Sequence, residues 1–492
     1  MLPGEIVLIV WPLVAVVLFA KLDIPRAIVV SVLAGYLLLP ELYYFDFPMI
    51  PTLNKHSIPA IVALVIVLVS RKRNDLHVLP GWIPKAFLPR LLLATLVFST
   101  FLTVMTNPDP VPFAAGFFPA LRPYDAMAMI LILLVALIPF LLARKFLAHP
   151  DQQKMLLRFF VMAGALYAFL ALYEVRMSPQ ISNMVYGFFP HSFEQHIRNG
   201  GFRPVVLLSH GLWLAIFFAG TIVGAFSLAR ASEGSEYRKY FVVGIWLLMT
   251  LSLSNSLGAL AIVVLLLPIA IFAGTRMQVM ICAGIAIVVL SYPALRGAGL
   301  VPIDGVLAWA QGVNPERAAS LAFRLASEDL LLSRAQERPL FGWGGFGRNL
   351  VFDEFGVART VTDGYWIDVV GQGGWARYLA EFGLLSLPPI AAAVAYRRSQ
   401  FGFETTGLML ILIANLIDLI PNATITPLTW LVVGALWGRI ELGRVSQSEP
   451  TNLMRTRQRG APVYTRFGGG PGRSAERDAA LPADTYARRH PS

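Results

Sequence analysis

The sequence is short of charge and nearly devoid of cysteine. Of its 492 residues only 14% are Asp, Glu, Lys or Arg, against 56% hydrophobic, whereas soluble domains carry about 25% charged residues. The apolar residues are run together: "IVLIVWPLVAVVLFA", "AMAMILILLVALIPFLLA" and "VVLLSHGLWLAIFFAGTIVGAFSLA" each approach the roughly 20 residues of a spanning helix. An ordinary soluble domain is thereby excluded. Cys282 is the single cysteine, which rules out an internal disulfide and a thiolate metal site. Its place inside "VMICAGIAIVVL" marks a packed apolar residue. No basic stretch and no small-residue cleavage site open the chain, so its first apolar segment is expected to remain as a helix. No internal repeat is found, which argues against the inverted-repeat architecture of many transporters.

What charge there is has a pattern. The net charge is +11, and segment 443–492 holds nine arginines against four carboxylates in a Gly-, Pro- and Ser-rich setting. It reads as a disordered basic tail. Contact with anionic headgroups on the cytoplasmic face is favoured over nucleic acid as its role. The apolar segments are expected at 4–20, 27–40, 57–70, 90–106, 124–143, 155–174, 205–229, 240–255, 258–274, 278–295, 376–396, 405–421 and 426–441. Alternate loops between them, such as "RKRNDLH", "ARKF" and "RASEGSEYRK", are short and basic, as cytoplasmic loops are. The expectation is an all-α integral membrane protein of about thirteen transmembrane helices, 1–442, with the N-terminus outside and the tail inside. Two long polar loops, 175–204 and 296–375, then lie outside, and the longer carries an amphipathic helix.

The stretch "RPLFGWGGFGRN" contains G-x-G-x-x-G at Gly342, Gly344 and Gly347. That spacing marks a dinucleotide site only when it follows a strand and opens a helix. Here it follows "NPERAASLAFRLASEDLLLSRAQERP", a helix capped by Asn314, begun at Pro315 and stopped by Pro339. The glycines therefore predict a tight turn where backbone approaches something closely, either a ligand or, as the default, Trp343 and Phe346 packing down. In that helix Ala318, Leu321, Ala322, Leu325 and Leu332 form an apolar stripe, suited to the membrane surface or the helix bundle.

Arg324, Arg334 and Arg338, with Arg317, could form a diphosphate clamp, since a guanidinium fork matches phosphate oxygens; Arg324 with Glu328 is equally an ordinary helix pair. In the shorter loop, "HIRNGGFRPVVLLSHGLW" places Arg203 at the start of a helix and His210 two turns inside it, where an ionisable group needs a partner. Arg158, Glu174 and Asp418 raise the same question. Asp363, ahead of Gly364 and Tyr365, could accept a hydroxyl proton or cap a helix. The outer loops contain no D-x-D pair, and His191 and His196 lack a matching ligand set; no metal or other cofactor is expected.

"RPLFGWGGFG", then "TDGYW", then "YLAEFGLL" resembles the O-antigen ligase and polysaccharide polymerase superfamily of bacterial inner membranes, over roughly 200–390. The resemblance implies a metal-independent glycosyltransferase using an undecaprenyl-pyrophosphate-linked glycan. Arg203 and Arg324 match the family's diphosphate-binding arginines. Asp363 stands where ligases carry a catalytic His. An aspartate is ordinarily a weaker base than histidine near neutral pH, and this departure favours a polymerase of exopolysaccharide or O-antigen repeat units over a ligase. His210, Arg334, Arg338, Tyr365, Gly342 and Gly344 are the further substrate-binding candidates. Membrane lipid and other polysaccharide-assembly proteins are the expected partners, and nucleic acid is not. A transporter or flippase, and a scaffold without chemistry, are the readings of other classes.

Overall fold

The computed structural model describes residues 2–47, 50–70, 78–198, 200–313, 315–396 and 401–457. The tail beyond 457, the basic loop 71–77, residues 397–400, the expected cap Asn314 and the Arg317 side chain lie outside the described residues. The chain divides into two units, Met1–Val445 and Ser446–Ser492, and everything below concerns the first.

It is mostly helical, and each of the expected segments overlaps a helix. Among the described residues, seven helical runs are long and apolar enough to cross a membrane: Gly4–Lys21, Phe87–Met105, Pro123–Phe146, Pro150–Met177, Gly211–Arg230, Thr275–Gly297 and Tyr365–Ala395. Ile24–Leu38, Ile58–Val69 and Leu257–Phe272 are shorter apolar helices. Ile9, Leu13, Val69 and Phe272 point outward, a large apolar surface of the kind that lipid covers. Two small antiparallel ribbons, Val111–Phe113 with Gly116–Phe118 and Ile197–Arg198 with Gly201–Phe202, depart from the all-helical expectation.

Gly211–Arg230 is the hub, buried almost throughout, with Pro150–Met177, Gly234–Leu253, Leu257–Phe272 and Phe403–Asp418 around it. Small residues let these backbones close up: Gly164 faces Thr221, Gly220 and Gly224 face Ile411, and Gly407 faces Ser227. Packing of this kind drives helix association where lipid is as apolar as the side chains.

Two departures from helix shape the polar end of the bundle. The first is residues 203–209. A helix was expected from 205, but it begins at Gly211, because Pro204 removes a donor and Val206 adopts φ 59°. The freed backbone is satisfied by side chains. Glu174 accepts from the N–H groups of Val205 and Val206, both at 2.7 Å, and of Ile181 at 2.9 Å. Tyr167 Oη accepts from Leu207 N at 3.2 Å, and Lys55 donates to Leu207 O at 3.0 Å. Glu174 thus has a structural partner set.

The second is a break inside Tyr365–Ala395, where Gly374 takes φ 65°. In an unbroken helix Trp375 N and Ala376 N would bond to Gly371 O and Gln372 O. Instead the glycine turn takes both sets. Trp343 N donates to Gly371 O at 2.9 Å and Gly344 N to Gln372 O at 2.8 Å; Trp375 N donates to Pro339 O at 2.8 Å and Ala376 N to Leu340 O at 3.1 Å. Thr103 and Asn107 cap the remaining turn carbonyls, Phe341 O at 2.7 Å and Gly342 O at 3.0 Å. The glycines approach the chain's own backbone: a Cβ on Gly342 would stand 2.5 Å from Gln372 C. Trp343 packs down as expected, whereas Phe346 is exposed.

Gly374→Ala is expected to lower stability by about 2 kcal/mol or more, through left-handed strain and collision with the Leu340 backbone. Gly258→Ala, in a helix with open space at the Cβ position, should be neutral or stabilising by up to about 1 kcal/mol. Thermal unfolding of the two purified variants checks the contrast.

Candidate functional site

Beyond Thr275–Gly297 the chain folds back as helices Ile303–Val313 and Pro315–Gln336. The second docks on the helix bundle through Leu331 and Ala335, and Ala318 is buried as well. The expected stripe of Leu321, Leu325 and Leu332 is only half-buried, and the buried face includes the polar Ser327 and Glu328. Arg296, in the last turn of Thr275–Gly297, is the anchor. Its guanidinium reaches Asp329 at 2.7 Å and Glu328 at 3.9 Å, and donates to Leu325 O at 3.3 Å.

Anchored there, the helix presents Arg324 to Asp363, with Nε to Oδ2 at 3.3 Å. Neither ordinary sequence alternative holds for this pair. Glu328 turns to Arg296 rather than Arg324, and the cap of Tyr365–Ala395 is Gly364 rather than Asp363. The two side chains remain 36% and 30% exposed, so a ligand can reach them.

Glu328 is the residue that sequence reading passed over. It is 6% exposed, and its Oε2 makes no hydrogen bond to a described residue. Burial pushes its pKa up to about 7, against the pull of Arg296 and of the Trp366 indole, and Asp329 and Asp363 add to the rise. A carboxyl group with such a value is fitted to proton transfer near neutrality. Its spacing from Arg324 was the only signal, and that spacing reads as a helix pair.

Other candidates sit elsewhere. Arg334 lies ten residues past Arg324, roughly 15 Å along the axis. Its guanidinium stacks 3.4 Å from the Trp343 ring centroid, and that of Arg338 stacks at 4.4 Å. Arg338 donates to Thr106 O at 2.6 Å and Asn107 Oδ1 at 2.8 Å. Buried Arg348 donates to Trp343 O at 3.0 Å, Pro119 O at 2.5 Å and Asp109 O at 3.0 Å. Arg338 and Arg348 fasten the glycine turn to the loop after Phe87–Met105, and Arg334 packs on Trp343, so Arg334 and Arg338 part from Arg324. Gly342 and Gly344 serve the backbone exchange. Tyr365 points inward: its hydroxyl donates to Glu381, which also accepts from Arg377 Nε at 3.2 Å.

In the shorter loop Arg203 is buried ahead of the helix rather than at its start, and donates to Asn255 O at 3.3 Å. His210 is the N-cap of Gly211–Arg230, not a residue two turns inside, and its Nδ1 accepts from Leu212 N at 3.0 Å. It meets His196 and His191 at ring-centroid distances of 4.5 and 4.8 Å. His196 Nδ1 donates to Ser192 O at 3.0 Å, and its Nε2 accepts from Gly211 N at 3.4 Å. Both ring nitrogens of His196 are therefore in use, and among the described residues no group of three or more His, Cys, Asp or Glu side chains is arranged to hold a metal ion. Arg158 pairs with Glu236 at 3.0 Å. Asp418 accepts from Asn422 at 2.8 Å and Thr424 at 2.6 Å, closing the turn after its own helix.

The chain matches no protein-family model and no curated protein.

Arg348→Ala would leave the buried Trp343 carbonyl without its donor, at about 1–3 kcal/mol, and would cut the ties to Pro119 O and Asp109 O. The variant is expected to lose at least about 2 kcal/mol, measurable as a fall in Tm, whereas Arg324→Ala should keep a near-native Tm.

Proposed function

We propose that the protein is a metal-independent membrane glycosyltransferase that polymerises undecaprenyl-pyrophosphate-linked repeat units for exopolysaccharide or O-antigen. It would work at the outer face of a bacterial inner membrane, with the N-terminus outside and the C-terminus inside. The observation that carries this reading is the meeting of Arg324 and Asp363, from separate elements, beside a buried carboxyl group with a pKa near 7. The motif resemblance over roughly 200–390 supports it and supplies the substrate class.

In this reading the diphosphate of the donor binds Arg324 and draws it from Asp363, with Arg203 contributing charge from the shorter loop. The acceptor hydroxyl attacks the anomeric carbon as the bond to the diphosphate oxygen breaks. The electron pair of that bond leaves with undecaprenyl pyrophosphate, whose charge Arg324 neutralises as it develops. The hydroxyl proton passes by way of Asp363 to Glu328, whose carboxyl group burial brings to a pKa of about 7. Glu328 thereby makes up for the absence of a histidine at position 363.

Arg324→Ala and Asp363→Asn are expected to reduce polymer formation at least a hundredfold while the protein still inserts, read as the size of lipid-linked glycans in complemented deletion cells. Single repeat units should accumulate. Long lipid-linked chains would instead indicate a ligase, and an unchanged pool would leave no enzymatic role.

Activity should rise as pH increases through about 7, where Glu328 loses its proton. Glu328→Gln should flatten that limb and lower the plateau about ten- to a hundredfold. An unaltered pH profile in the variant would remove Glu328 from the mechanism.

A further inference from the structure

A cavity lies beside the unwound segment 203–209, with Ser209 in its lining. It encloses about 570 Å³, within the roughly 300–1,000 Å³ of sites for small organic ligands. Trp213 and Trp430 give it flat apolar walls; Glu41, His56, Ser209 and Thr426 bring polar atoms to the lining.

The polar side is built, not incidental. Lys55, with a fully buried side chain, reaches Glu41 Oε2 at 2.8 Å, and His56 Nε2 reaches Glu41 Oε1 at 3.1 Å. The same Lys55 donates to Leu207 O, which ties the carboxylate to the unwound segment. Burial alone would raise the Glu41 pKa, but Lys55 and His56 outweigh it and bring it down to about 2. The carboxylate is therefore fixed and ionised. An ionised carboxylate offers about four lone-pair sites, and the two contacts on Glu41 leave acceptor capacity for hydroxyl groups. Its charge is already balanced by Lys55, so a charged ligand gains nothing from this wall. A purely apolar ligand would strand a buried ion pair that is costly to desolvate.

We propose that this cavity is a saccharide-binding subsite, taking one or two uncharged pyranose rings. Ring C–H faces lie on Trp213 and Trp430, and hydroxyls donate to Glu41. Thr426 connects the cavity to the other site. It ends the turn 419–426, whose Leu419 and Asn422 carbonyls accept from Tyr365 N at 3.1 and 3.2 Å, two residues from Asp363. The cavity would hold the acceptor end of the glycan; that role rests on the proposed polymerase, while saccharide binding does not.

The test is calorimetric titration of the full-length protein in nanodiscs with oligosaccharide released by mild acid from the host's lipid-linked pool. Saturable binding is expected, weakened at least tenfold by Trp213→Ala and by Ser209→Trp, which fills the cavity, and retained in Arg324→Ala. Circular dichroism and Tm establish that the variants are folded. Absent binding, or binding unchanged in both folded cavity variants, overturns the proposal. So does farnesol binding that Ser209→Trp abolishes while the oligosaccharide is not bound. Binding that follows the cavity variants, with normal glycan pools in Arg324→Ala cells, upholds the subsite and defeats the polymerase.

Discussion

The exchange of backbone hydrogen bonds between the glycine turn and the broken helix Tyr365–Ala395 fixes the arrangement of the candidate site. Two helical bonds are given up at Gly374, and four bonds to residues 339–344 replace them. A bilayer-spanning segment tolerates such a break only where protein re-satisfies the freed groups. Here the partner is the stretch that ends helix Pro315–Gln336. The same interaction therefore seats the long loop on the bundle and ties the Arg324-bearing helix to the Asp363-bearing segment.

The unwound segment 203–209 follows the same rule by different means. Glu174, Tyr167 and Lys55 supply the partners that helical geometry would otherwise have supplied. Both candidate sites adjoin interrupted backbone: the Arg324–Asp363 pair beside the broken helix, and the 570 Å³ cavity beside the unwound segment. Lys55 serves backbone and cavity together. Charge at the first site is likewise arranged by few groups, with Arg296 holding Glu328 and Asp329 so that Arg324 is left for Asp363.

Much of the fold was legible in the sequence because hydrophobic runs and proline punctuation are local signals. The expected segments overlap helices, seven of them in runs long and apolar enough to cross a membrane among the described residues, and the helix before the glycine turn ends where Pro339 required. The G-x-G-x-x-G stretch follows a helix, as its place in the sequence implied, but its partner was invisible, since Gly371–Ala376 lies across the fold. The start of the helix after Arg203 was misplaced because apolar residues 205–208 read as helix, and nothing local announced that Glu174 would stabilise the unwound form. Arg324 and Asp363 were each picked out on separate grounds; that they meet is a tertiary fact. Arg334 and Arg338 were grouped with Arg324 by residue type, and Trp343 claims them instead. Glu328 was hidden because its burial, not its spacing, gives it the unusual proton affinity.

The most direct measurement is reconstitution of the purified protein in liposomes with purified lipid-linked repeat units and a chelator in place of divalent metal. The account predicts a ladder of glycans of two or more repeats, with one undecaprenyl pyrophosphate released for each bond formed. Repeat units that stay single, or that move only to a non-glycan acceptor, would contradict it.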